Sequence, residues 1–192
     1  MTIRVLFAGM DGVGKSTLAC SVYRTLRLWG YDVGLHEIDV WSDTHGPILG
    51  RKPWVERQKR GNDVRNYLAD EFSAAVGRFV SDERHELVLG DLHGRWQMPD
   101  PPYWDGLAAD RAVLVVRHPT AKDGQVVCPQ REDDWRRFLA TWRIPVSARV
   151  CSLLPGQQPL PDSLPVWNLD RELRDTAPDV CRIAAHVADW LP

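Results

Sequence analysis

A chain of 192 residues, with 44% hydrophobic and 26% charged side chains, has the length of one domain and the make-up of a folded, water-soluble protein, which argues against disordered, collagen-like and membrane-spanning classes. The formal net charge of −2 gives no overall attraction to nucleic acid or to an anionic membrane, so any anion must be held locally. Only 4 of the 24 basic side chains are lysines, and 9 residues are tryptophan, so the positions of both are informative.

Ile3 to Ala8 is a short apolar run with β-branched and aromatic members, the pattern of a buried strand. A glycine-rich turn follows, then Leu18, Val22, Leu26 and Trp29 recur at helical spacing until Gly30 supplies a stop. Asp32 to Ile38 reads as a second strand. From there through Arg60 the chain reads as loop, broken by Gly46, Pro47, Gly50 and Pro53. After Asn62, a suitable cap, Val64, Leu68, Phe72, Val76, Phe79 and Val80 mark one face of a long amphipathic helix.

Leu87 to Asp91 is a third buried strand and Ala112 to Val116 a fourth; between them, His93 to Gly106 carries Pro99, Pro101 and Pro102 and cannot be a regular element. Arg131 to Arg143 is a helix with Trp135, Phe138, Leu139 and Trp142 on one side, and Pro145 to Leu153 is a fifth strand. Pro155 to Pro165 is a loop, Val166 to Leu169 a short sixth strand, and Val180, Ile183, Ala184, Val187 and Leu191 mark a closing helix. Strands that alternate with helices at this rhythm imply one α/β domain over residues 1–192, a mostly parallel sheet with helices on both faces.

The cysteines, Cys20, Cys128, Cys151 and Cys181, are widely spaced without a CxxC pair, so neither a zinc site nor a disulfide framework is expected and a cytoplasmic location fits. No signal-peptide pattern opens the chain, and no stretch approaches the roughly 18 apolar residues of a membrane span.

The chemistry concentrates at Gly9-Met10-Asp11-Gly12-Val13-Gly14-Lys15-Ser16-Thr17, which matches G-x-x-x-x-G-K-[ST] and lies between an apolar strand and an amphipathic helix, where phosphate binding requires it. Glycines let backbone N–H groups turn in around phosphate oxygens, and the helix adds its unpaired N–H groups and positive dipole end. Lys15 is expected to reach the β and γ phosphates of ATP, and the Ser16 hydroxyl to ligate Mg²⁺. A second anchor for the metal is a carboxylate at the end of a neighbouring strand, for which Asp91 is the candidate. Asp110 is a weaker one, because it precedes its strand and so lies at the edge of the sheet away from the phosphates.

The loop and its flanks, Phe7 to Leu18, resemble the opening of thymidylate kinases and related nucleoside and nucleotide kinases, with the Asp11-Gly12 pair as the distinguishing feature. The resemblance implies a three-layer P-loop fold with a five-stranded, mostly parallel sheet in the order 2-3-1-4-5, extended by the short sixth strand. It also implies transfer of the ATP γ-phosphoryl to a small acceptor, with Asp11 on the acceptor's sugar. The 76 positions from Lys15 to Asp91 leave room for the acceptor segment that those kinases carry there. This chain departs from them after its third strand: Asp91-Leu92-His93-Gly94-Arg95-Trp96 replaces the Asp-Arg pair, so Arg95 is the candidate for the missing guanidinium.

In the acceptor segment, Arg51 or Arg57 could grip a phosphate, Asp39 could take a proton from an attacking hydroxyl, and Trp41 or Trp54 could stack on a base. An exposed loop of solvated charges accounts equally well for the same residues. The arginine-bearing lid of such kinases corresponds to residues 117–137, with Arg131, Arg136 and Arg137 available to clamp phosphates. Trp29, Trp135, Trp142 and Trp190 read as core, and Trp41, Trp54, Trp96 and Trp104 as a loop set around the acceptor cleft. A homodimer stays open. The rival is a GTPase or a regulatory ATPase, because Asp91 to Gly94 is also a D-x-x-G string; no N-K-x-D sequence follows it.

Overall fold

The computed structural model describes residues 1–10, 12–38, 45–50, 65–92, 94, 104, 106–118, 130–169 and 174–192. Their order is β1 (Ile3–Gly9), α1 (Lys15–Leu28), β2 (Val33–Glu37), α2 (His45–Ile48), α3 (Arg65–Val80), β3 (Leu87–Asp91), β4 (Arg111–Arg117), α4 (Gln130–Thr141), β5 (Val146–Leu153), β6 (Leu164–Trp167) and α5 (Pro178–Ala188). The strands form one sheet in the order β2-β3-β1-β4-β5-β6, and every neighbouring pair is parallel. The expected order thus stands, with β6 added at the edge beyond β5.

Side-chain alternation explains the layers. On β1, Val5 and Phe7 point to one face and Leu6 and Ala8 to the other; on β4, Val113 and Val115 oppose Ala112, Leu114 and Val116. All are buried, as strands of a sheet covered on both sides must be. The first face packs on Leu18, Val22 and Leu26 of α1 and on Val180, Ile183 and Val187 of α5. The second packs on Phe72, Val76 and Phe79 of α3 and on Trp135 and Leu139 of α4.

Four sequence expectations need correction. The stretch from Ile38 to Arg60 is not loop throughout, because His45–Ile48 forms α2; Pro47 is compatible with a helix this short, whose first turn needs no donor there. Strand β6 covers Leu164–Trp167 rather than Val166 to Leu169. Among the described residues it pairs with β5 alone, and such an edge strand tolerates Pro165. Trp29, expected in the core, is 46% exposed, because it caps α1 beyond its last apolar turn. Trp104, expected beside an acceptor cleft, is 1% exposed and packs edge-on against Phe72 and Phe138, with ring centroids 4.6 and 4.7 Å apart.

Between α3 and β3 the chain is held by Asp82, whose buried carboxylate accepts hydrogen bonds from His36 Nε2 (2.8 Å), His85 Nδ1 (3.1 Å) and the Arg84 backbone N–H (3.0 Å). Burial pushes this carboxyl up, but the bonds from His36, Arg84 and His85 outweigh it and hold the group well below the usual carboxylate range. A carboxyl more acidic in the folded than in the unfolded chain stabilises the fold above its unfolded pKa of about 3.9, and that stability drains away as pH falls below it. Asp82→Asn is therefore expected to lose about 2 kcal/mol in urea unfolding at pH 7. The gap to the wild type should shrink below about pH 4, and a constant gap down to about pH 2.5 would contradict this role.

Candidate functional site

The glycine-rich loop leaves β1 at the carboxyl edge of the sheet and enters α1 at Lys15. Two glycines are required by contacts. Gly9 has φ +146°, and a Cβ there would meet the Val115 carbonyl oxygen of β4 at 2.2 Å. Gly14 has φ +83°, and a Cβ there would meet Leu169, just after β6, at 2.4 Å. The loop can therefore lie this close to β4 and to the segment after β6 only with glycine at both places. Among the described residues no side chain caps α1, and no acid lies in its first turn, so the N–H groups and positive end of the helix face the glycine-rich loop.

Beside this end lies a buried chain of charges. Lys15 Nζ donates to Asp91 Oδ1 at 2.8 Å, with the lysine 5% and the aspartate 0% exposed. Asp91 is the last residue of β3, the strand next to β1, and its register partner on β2 is Glu37. His45 Nε2 donates to the other oxygen, Oδ2, at 3.0 Å. The His45 backbone N–H donates to Glu37 Oε1 at 3.2 Å, and Cys20 of α1 contacts the same imidazole.

The electrostatics follow from these contacts. Burial alone would raise the Asp91 carboxyl, but the charge of Lys15 and the bond from His45 hold it well below the usual range, so it is ionised at neutral pH. Burial likewise opposes charge on His45, yet its bonds to Asp91 and Cys20 hold the imidazole well above its ordinary value. Burial pushes the Cys20 thiol up against the pull of His45. The result is an ionised Asp91 held between the Lys15 and His45 side chains at the mouth of the loop.

Of the residues expected at the site, Gly9, Gly12, Val13, Gly14, Lys15, Ser16, Thr17 and Asp91 converge here. Asp11, Asp39, Trp41, Arg51, Arg57 and Arg95 lie outside the described residues, as do Trp54, Trp96 and the side chain of Arg131. Arg136 and Arg137 lie on exposed turns of α4, where they pair with Glu132 (3.0 Å) and Asp134 (2.8 Å) of the same helix. Glu132 is also bound by Arg149 of β5 at 2.7 Å. Asp110 lies at the opposite edge of the sheet, accepting from the Arg4 N–H at 2.8 Å. His45, Glu37 and Cys20 were not legible as site residues: His45 sits among turn-forming residues, and only the approach of α2 to the end of β3 gives it a role.

This sheet order, with a glycine loop joining β1 to α1 and a carboxylate ending the adjacent strand, is the P-loop NTPase fold. Solved structures agree. The chain is similar to a plasmid partition protein from Borrelia burgdorferi B31 bound to AMPPNP, at 12% identity and TM-score 0.58, over 98% of this chain and 97% of that one. It is similar to cobyrinic acid a,c-diamide synthase from Mycobacterium smegmatis, with bound ATP analog and magnesium, at 12% identity and TM-score 0.57, over 98% and 93%. The MinC:MinD cell division protein complex of Aquifex aeolicus matches at 16% identity and TM-score 0.52, over 79% and 68%. Of the FtsY chain from Mycoplasma mycoides, which also matches, this chain spans 52%. The likeness does not single out thymidylate kinases within the fold. No protein-family model matches the chain, and no curated protein matches it in sequence.

Proposed function

We propose that the loop from Gly9 to Thr17 holds the phosphates of a nucleoside triphosphate, and that the chain transfers the γ-phosphoryl of ATP to a small acceptor of the nucleoside or nucleotide class. The observation that carries this reading is the buried Lys15–Asp91 pair, 2.8 Å apart, at the uncapped end of α1. A lysine held there can exchange one carboxylate for the several oxygens of a triphosphate.

The oxygen donors also fit Mg²⁺. Asp91 is an ionised carboxylate, and Ser16 brings a partly exposed hydroxyl, both hard ligands. Among the described residues no group of three or more His, Cys, Asp or Glu side chains could hold a metal alone, so other ligands would come from the triphosphate and water. When bound, the ion supplies charge neutralisation at the phosphoryl oxygens. The chain's own work is positioning: the loop amides and Lys15 orient the phosphates, and Asp91 anchors the metal side. Arg95 and the arginines at 131, 136 and 137 belong to this reading as phosphate contacts, and Asp11, Asp39, Trp41, Arg51 and Arg57 as acceptor contacts.

Hydrolysis of ATP or GTP coupled to a second copy or a partner protein is the second reading. It is supported by the likeness in fold to the partition protein bound to AMPPNP and by the buried Gly94, three positions after Asp91. Incubation with Mg·ATP or Mg·GTP and a panel of nucleosides, nucleotides and other small hydroxyl compounds separates the two. ADP release that depends on an acceptor supports the kinase. Release without an acceptor, or a preference for GTP, supports hydrolysis, and no turnover under any condition contradicts both.

A further inference from the structure

Asp91 has two partners in the described structure, and only one of them is used by the reading above. Lys15 takes Oδ1 and His45 takes Oδ2, at 2.8 and 3.0 Å. Binding a triphosphate would draw Lys15 toward phosphate oxygens. With no second partner, an ionised carboxylate at 0% exposure would then be left in the interior without a hydrogen bond, a costly state. His45 prevents it. It is 7% exposed, belongs to α2 rather than α1, and is fixed by its own backbone bond to Glu37 and by Cys20. It can keep its bond to Asp91 whichever partner Lys15 holds.

We propose that His45 is a positioning residue that holds Asp91 in place while Lys15 is handed from that carboxylate to the nucleotide phosphates. The proposal rests on the nucleotide reading of the same site. It links the segment that follows β2, through α2, to the carboxylate at the end of β3. It also has a consequence that requires no metal. Without His45, Lys15 becomes the stronger anchor of a buried anion, drawing it away is harder, and nucleotide affinity falls even in EDTA.

The test is equilibrium binding of a fluorescent ATP analogue, in EDTA, to the wild type and to variants whose fold is checked by circular dichroism. His45→Ala is expected to bind about tenfold more weakly or worse, the size of one hydrogen bond to a charged group. His45→Gln, which can still donate to Asp91, should recover most of that loss. In an Asp91→Asn background, where no buried anion remains to be held, His45→Ala should have no further effect on affinity. A general packing role for His45 would leave its penalty intact in that background, and that result overturns the proposal. Unchanged affinity in His45→Ala overturns it as well. Lys15→Ala separates the two levels: if it binds like the wild type, or if the wild type binds no nucleotide, the nucleotide reading fails and the hand-over falls with it.

Discussion

Lys15→Ala should lose ATP binding by about 100-fold or more while the sheet folds as before. The loss is large because the proposed site has Lys15 as its cation at the end of the glycine-rich loop, and its head is buried to 5% exposure where water screens little. The fold survives because Asp91 keeps its bond from His45, and the strands around it, Val5 to Ala8, Val88, Leu89 and Ala112 to Val115, are packed without help from the lysine. Thermal unfolding should therefore show a loss of about 1 to 2 kcal/mol. Normal nucleotide affinity in a folded Lys15→Ala protein would contradict the role assigned to the loop.

Asp91→Asn should behave differently. It removes the anion that both Lys15 and His45 hold, which leaves the buried Lys15 without its partner and is expected to cost about 3 kcal/mol of stability. The His45 imidazole loses the bond that raises it, so its titration, followed by NMR, should move down from the well-raised position it has beside Asp91. Turnover with Mg²⁺ should fall about 100-fold or more if Asp91 holds the metal side as proposed. Binding of ATP in EDTA should persist, since Lys15 no longer has to leave a carboxylate. A folded Asp91→Asn protein that keeps Mg²⁺-dependent turnover, or an imidazole that titrates as before, would sink this assignment.

Much of the fold could be read from periodicity. The apolar runs at Ile3 to Ala8, Leu87 to Asp91 and Ala112 to Val116 are strands covered on both faces, and the spacing of Leu18, Val22 and Leu26 is an apolar helix stripe. The glycine-rich loop was legible because phosphate binding demands a fixed local string, and Asp91 because a strand-terminal acid in the third strand lands beside that loop in a parallel sheet. What escaped depends on tertiary approach. His45 acquires its role only when α2 reaches the end of β3, and nothing local marks it. Burial of the tryptophans also could not be inferred from element type: Trp104 lies in a proline-rich connection yet fills the core between Phe72 and Phe138, while Trp29 ends a helix yet faces solvent. Pro165 misled the placement of β6 because the edge position of that strand is a property of the whole sheet.

Calorimetric titration of the wild-type chain with Mg·ATP and Mg·GTP examines the phosphate loop itself. Saturable binding of one nucleotide per chain, lost in Lys15→Ala, is the expected result. A wild-type protein that takes up neither triphosphate, or that binds one equally well without Lys15, would contradict it.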